Sequence, residues 1–368
     1  MYIDSPFGEA GEVTPFGEAG AVKPRFKPVI GVTMGDPAGI GAEIVVKALS
    51  RAVIYDECLP VVIGDREALL DANRFCRAGL GFNEIDDVSA AAGEPGVIDF
   101  INLGLLAPGS YEYKKVQKLC GEASFQYVVK AIGLAMSGRL HAVVTGPINK
   151  EAINAAGRAY SGHTEIFAEY TGVKNYAMLL TSKTLRVFHV TTHCPMREAC
   201  DRITAPRVLL VIELARDALK MLGFPAPKIG VAGLNPHSSE NGLFGFEEER
   251  AIIPAIKAAK GMGIDAEGPV PPDTVFVKAQ AGQYDGVVAM YHDQGHIPVK
   301  LSGFTLDKNS NRYISVSGVN CTVGLPIIRT SVDHGTAFGK AGEGRANEES
   351  LVDALYMALA MARYKFVS

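Results

Sequence analysis

The stretch PVIGVTMGDPAGIGAEIVVKALS, residues 28–50, decides the fold. Its first part, VIGVTM, is a β-branched apolar run of strand length; its last part, GAEIVVKALS, repeats apolar residues at helical spacing, and glycines with one proline lie between. A strand that turns straight into a helix calls for a parallel strand next, because the crossover carries the chain back along the sheet. The theme recurs outward. PVVIG (60–64) precedes DREALLDANRFCRAG (65–79), VIDFIN (97–102) precedes SFQYVVKAIGLAMSG (124–138), and HAVVTGP (141–147) follows. Farther on, RVFHV (186–190), KIGVA (228–232) and GVVAM (286–290) read as strands. Thr204 and Pro206 open a helix that Gly223 stops, a second runs from Glu247 to Lys260, and the last from Glu348 to Tyr364. This alternation predicts an α/β fold on a parallel sheet.

Upstream, SPFGEAGEV (5–13) and TPFGEAGAV (14–22) form a tandem repeat too short and polar to bury a face, so residues 1–27 are expected to be a tail. No Ser/Gly-rich linker divides the remainder, which predicts domains that exchange chain segments. With 368 residues, 48% apolar and 21% charged, the chain is long and apolar enough for a sizeable core. Thirty-six Lys and Arg against 40 Asp and Glu give a net charge of −4 without a basic face, which argues against nucleic acid as partner. The longest apolar run, Ala354–Ala362, is too short to span a membrane, and the N-terminus has no charged-then-apolar signal pattern, so a cytoplasmic protein is expected. The six cysteines include no CxxC pair and read as reduced, packed thiols.

Ligands of α/β sheets bind beyond the carboxyl ends of strands. His193, His237 and His292 each follow a predicted strand closely, in TTHCP, LNPHSSE and YHDQG. Three such imidazoles can converge on one divalent cation and leave positions open for substrate; zinc is expected, with magnesium, cobalt or manganese as alternatives. His141 and His189 read as structural, and His296 as a support behind the ligands. SGHTE (161–165) places His163 and Thr164 at a helix start, which suits either an anion or an ordinary Ser/Thr cap. Lys300, Asn320 and Arg329 are further anion-binding candidates, and Arg329 in apolar PIIRTSV is out of place for a surface. GDPAGIGAEI lacks the GxGxxG pattern, so a dinucleotide would need another device.

At these residues the chain resembles the 4-hydroxythreonine-4-phosphate dehydrogenase family, from about Pro28 to the C-terminus. The motifs are GDPAGIGAEI, TGPINK, SGHTE, TTHCP, LNPHSSENG, GPVPPDT, YHDQGHIPVK and VNCTVGLPIIRTSVDHGTAF. GDPAGIG and HGTAFGKAGEGRAN (334–347) also resemble the turn and adenine-side loop of isocitrate and isopropylmalate dehydrogenases. The resemblance implies two α/β/α domains with a cleft between them, residues 28–155 with 330–368 and residues 156–329. It also implies a homodimer whose sites are completed across the interface. His193, His237 and His292 match the family's metal ligands; His163, Thr164, Lys300, Asn320 and Arg329 match substrate positions, expected here to hold a phosphate. Asn235, Gly335, Thr336, Gly342 and Asn347 match the stretches expected to hold NAD or NADP, while Asp273, Asp293 and Lys300 are expected to take part in catalysis. The implied chemistry oxidises a secondary alcohol β to a carboxylate and then releases CO2. Leu301–Val319 is longer than the corresponding link in the enzyme of pyridoxal phosphate synthesis, and must lie near the pocket. Its one acid, Asp307, faces Lys308 and Arg312 in composition, so it offers no site for a substrate ammonium; a hydroxy acid phosphate such as threonate or erythronate 4-phosphate is expected over the amino acid.

Overall fold

The structure is a computed structural model in which residues 26–307, 312–316 and 318–367 are described. The tandem repeat lies outside them. Phe26 and Lys27, expected in the tail, make contacts with the folded body: the Phe26 ring lies 5.0 Å from that of His141, and exposed Lys27 donates through Nζ to the Tyr55 carbonyl at 3.0 Å.

The strands among the described residues are β1 (Val29–Thr33), β2 (Leu59–Gly64), β3 (Gly81–Glu84), β4 (Val97–Asn102), β5 (Ala142–Thr145), β6 (Ala177–Thr181), β7 (Arg186–His189), β8 (Ile229–Ala232), β9 (Ala266–Val270), β10 (Gly286–Ala289), β11 (Phe304–Asp307), β12 (Arg312–Val316), β13 (Val319–Val323) and β14 (Ile328–Val332). All but β11 and β12 form one 12-stranded sheet in the order β3-β4-β2-β1-β5-β14-β13-β6-β7-β10-β8-β9. Pairing is parallel from β3 to β14 and again from β7 to β9, as the βα alternation requires. The centre departs from that expectation, because β14 with β13, β13 with β6, and β6 with β7 are antiparallel. Connection length explains it: residues 182–185 and 324–327 are four-residue links, and a parallel crossover needs about a dozen. The two parallel blocks therefore run in opposite directions on either side of an antiparallel centre.

Helices cover both faces. The helices Ala205–Met221 and Glu349–Val367 touch each other and pack over the central strands on one face. The helices Lys118–Met136 and His292–Gly303 cover the other. Thr204 caps the helix Ala205–Met221, its Oγ1 accepting from Arg207 N. The segment expected to be one helix from Glu247 opens as a π-helical turn, Glu248–Ile252, before the α-helix Ile253–Gly261. Of the long link after Lys300, Leu301–Gly303 ends a helix, and β11 with β12 makes an antiparallel hairpin apart from the main sheet. Gly35, at φ +78°, closes the turn after β1 onto the turn after β5, where a Cβ would stand 2.4 Å from the Pro147 carbonyl oxygen. Among the described residues no helix is long and apolar enough to cross a membrane.

Candidate active site

Alternation along the antiparallel centre puts two rows of side chains on one face of the sheet. Thr145, Ser331 and Asn320 are register partners in one row. Arg329, Thr322, Met178 and His189 follow one another in the next. Above them lies a cavity of about 350 Å³, walled by the start of the helix His163–Thr171, by the helix His292–Gly303, and by the loops after β5, β7 and β14. His163, Thr164, Lys300, Asn320, Arg329, His193 and His292, seven of the residues singled out from sequence, line it together.

Arg329 is 2% exposed, and its pKa is pushed down to about 10, chiefly by burial. Its guanidinium donates to Thr145 Oγ1 at 2.8 Å and to Thr322 Oγ1 at 3.1 Å, and lies over the Phe167 ring at 5.5 Å. Among the described residues no carboxylate hydrogen-bonds to it, although the charge of Glu165 acts on it from nearby, and its Nε has no partner. A buried cation with only neutral partners needs an anion from outside the chain. His163, the first residue of its helix, adds a second unpartnered buried atom, Nε2. Burial first, then the charges of Arg329 and Lys150, hold its pKa well below the usual imidazole range, so it stands neutral. Gly162 rather than Ser161 occupies the cap position and makes no side-chain bond, which leaves the helix N–H groups of this end open. At the far end of β14, Lys300 Nζ is 3.2 Å from Asp333 Oδ2 and 5.1 Å from the Phe304 ring. Burial raises the Asp333 carboxyl and Lys300 pulls it back down.

The imidazole end is built from β7 and β10, which are adjacent and parallel. His193 and His292 follow them, with ring centroids 5.5 Å apart. His292 Nδ1 and Asp293 Oδ1 are 2.7 Å apart, which sets Nδ1 as a donor and leaves Nε2 as the nitrogen that could meet a cation. Burial, then the charge of Lys150, lowers the His193 pKa and keeps the ring in the neutral form that a cation requires. These two nitrogens fit half of a divalent-cation site. His237 stands elsewhere: it follows β8, is 64% exposed at the side chain and lies 3.3 Å from Glu240. Among the described residues no three His, Cys, Asp or Glu side chains come together as a metal set. Asp273 is exposed in the turn before Val275, past β9. Asp293 is exposed too, and touches His292 alone of the imidazoles.

The loop that carries His237 is a run of five non-glycine residues in the left-handed region, His237 to Asn241, with φ between 44° and 69°. It is braced by Glu248, which is buried and accepts from Leu234 N, Asn235 N and Asn235 Nδ2. Asn235, expected at the cofactor, is thus bound to Glu247 and Glu248. The other cofactor candidates lie along residues 335–347. Gly335 lines the cavity, the Thr336 carbonyl accepts from Ile40 N, Gly342 backs onto the Tyr113 ring, and Asn347 Oδ1 accepts from Glu349 N. Glu43 and Lys47, from the helix of the opening motif, clamp this stretch: Lys47 Nζ donates to the carbonyls of Gly344 and Ala346, and Glu43 Oε1 accepts from Ala346 N.

Sequence reasoning missed Lys150, Asp333 and His334, which also line the cavity. Each sits in a motif quoted above, one to five residues past a strand end, the same signal that found the histidines. His141 is structural as expected, its Nδ1 accepting from Val29 N.

A family model described as pyridoxal phosphate biosynthetic protein PdxA matches residues 56–358. The D-threonate 4-phosphate dehydrogenase of Cupriavidus necator is 45% identical over 338 residues, 92% of this chain and 98% of its own. The solved structure of a 4-hydroxythreonine-4-phosphate dehydrogenase from Burkholderia phymatum is 46% identical, covers 91% of this chain and 98% of that one, and gives a TM-score of 0.78. The one from Klebsiella pneumoniae is 41% identical, with 92% and 99% covered and a TM-score of 0.79. The matched span includes every residue that lines the cavity, and the chain belongs to the PdxA family.

Proposed function

We propose that this chain oxidises D-threonate 4-phosphate with NAD or NADP and releases CO2 from the resulting 3-keto acid. That it is a nicotinamide-dependent dehydrogenase working on a CH–OH group follows from its family and its named relatives. The substrate rests on one observation above all: a fully buried guanidinium, Arg329, with no anionic partner of its own among the described residues, inside a cavity of substrate size. The name of the 45% identical relative supports threonate over the amino acid.

In this reading Arg329, His163 and Thr164 hold the phosphate. Lys300, from its helix, meets Asp333, which lies four residues or about 13 Å along the chain from Arg329 just past the end of β14, and holds the carboxylate, with Asn320 between. His193 and His292 face the C3 oxygen and hold a divalent cation, zinc foremost. A cation there supplies Lewis-acid polarisation of that oxygen and of the charge left as CO2 departs. The third ligand, His237, comes from a second copy, whose exposed Leu243, Phe244 and Phe246 form the apolar surface beside it, so the enzyme is a homodimer. Residues 335–347 would hold the nucleotide, and a nicotinamide bound there would supply the acceptor for the C3 hydride.

The C3–H pair leaves as hydride, and the hydroxyl proton passes to a carboxylate at the imidazole edge, Asp293 beside His292 or Asp273 carried in with His237. The C1–C2 bond then breaks, CO2 departs, and Lys300 Nζ returns a proton to C2. The three-carbon product is dihydroxyacetone phosphate. Purified protein given D-threonate 4-phosphate and NAD+ or NADP+ should raise absorbance at 340 nm and yield that ketone. No nicotinamide reduction, or equal rates with unphosphorylated D-threonate, would refute the reading.

A further inference from the structure

Between the candidate ligand His292 and Lys300, the helix His292–Gly303 carries one more side chain on the same face, His296, at the i+4 position of each step. It lines the cavity, and its ring stacks on His292 with centroids 3.6 Å apart and planes 13° from parallel. Behind it, in β7, stands His189, wholly buried. The contacts fix both tautomers, because a carbonyl only accepts. His189 Nδ1 is 3.2 Å from the Met178 carbonyl oxygen and so donates, which makes its Nε2 an acceptor. His296 Nδ1 is 3.0 Å from the His292 carbonyl oxygen and 3.2 Å from His189 Nε2, so it donates to both. His296 Nε2 is then an unprotonated lone pair on a ring that borders the cavity. Gly295 makes the approach possible, since a Cβ there would stand 2.3 Å from His189 Nε2.

We propose that His296, oriented by His189, reads the substituent at C2 of the substrate and selects a hydroxyl over an ammonium. This rests on the reading above, in which C3 faces His292 and the C1 carboxylate faces Lys300, so that C2 lies opposite the residue midway between them. A neutral lone pair accepts one hydrogen bond from a hydroxyl and satisfies it. It leaves an ammonium with two further donors and a charge to be balanced, beside a cation site and Lys300. His189 is a positioning residue: it holds the His296 ring in the orientation and tautomer that present Nε2.

The test compares two ligands on the metal-loaded dimer, D-threonate 4-phosphate and 4-hydroxythreonine 4-phosphate, by calorimetric Kd without cofactor and by kcat/KM. For His296→Leu the preference for threonate should fall at least tenfold in both measurements, with metal content per chain unchanged. His296→Gln, which restores a carbonyl acceptor, should recover most of the preference, and His189→Gln should lose part of it through Kd and KM rather than kcat. An unchanged preference in His296→Leu, or a loss shared equally by the two ligands, would overturn the proposal. A wild type that binds neither ligand would overturn the substrate reading, and this one with it.

Discussion

Arg329 concentrates the energetics of the site in one side chain. Its planar fork is held from below by two threonine hydroxyls, and what remains of its hydrogen-bonding capacity is directed at an incoming anion. An ammonium in its place keeps the charge but cannot reproduce a fork. Arg329→Lys should therefore raise the KM for the phosphorylated substrate at least tenfold while kcat changes less; equal KM values in variant and wild type would remove Arg329 from the phosphate seat. Sequence made this residue conspicuous for the right reason, because an arginine inside PIIRTSV has an apolar run on either side and nowhere to reach water. Asp333 gave no such sign, since an acid just past a strand is commonplace and only its burial against Lys300 sets it apart.

At the scale of elements, two braces invite measurement. Glu248 satisfies three N–H groups of the His237 loop, and Glu248→Ala leaves them unpaired, at a cost of about 2–4 kcal/mol. The loop it holds is in a left-handed conformation that relaxes when the brace goes. Metal affinity in the assembled enzyme should fall about 10–100-fold although His193 and His292 are untouched, a loss that dialysis against a metal buffer would read. Glu43→Ala releases residues 344–346 instead, and should raise the KM for NAD(P)+ while leaving the KM for the acid phosphate nearly alone. The parallel blocks and their strand-end loops were legible because apolar period and glycine-rich turns are local signals. The antiparallel centre was not, since its cause is the shortness of two links between strands whose own sequences read like any other. His237 shows the same limit: position past a strand end is a one-dimensional fact, and the left-handed run that turns the ring outward appears only in the backbone.

For the molecule as a whole, buried imidazoles tie stability to pH. Burial, with the neighbouring His296 second, holds His189 down to about 3; burial, with His292 second, holds His296 down to about 4; His163 lies well below its ordinary value. An unfolded chain takes up these protons near pH 6.5 and the folded chain does not, so stability falls as pH drops below about 6.5, by about 1.4 kcal/mol per pH unit for each such group. Asp36 acts in the opposite sense. Burial raises its carboxyl to about 6, so between about 6 and 3.8 the folded chain holds a proton that the unfolded chain releases; Asp333, also raised by burial, adds to this, but the imidazoles outnumber the two. Urea midpoints measured on metal-free protein should decline from pH 6.5 to 5, and a flat or rising profile would contradict the burial of these rings.

The pairing of β5 with β14 has a further consequence, for synthesis. Ala142 and Ile328 are register partners, so the strand on one side of the sheet's centre is made long before its neighbour exists. At about 5–20 residues per second the ribosome needs about 10–40 s to travel from one to the other, and throughout that time β5 presents an open apolar edge. A nascent chain stalled ahead of residue 328 should be held by chaperones and cut by protease within the first half, whereas the released full chain resists. The growing polypeptide thus depends on company in the cell until the segment that closes its sheet has emerged.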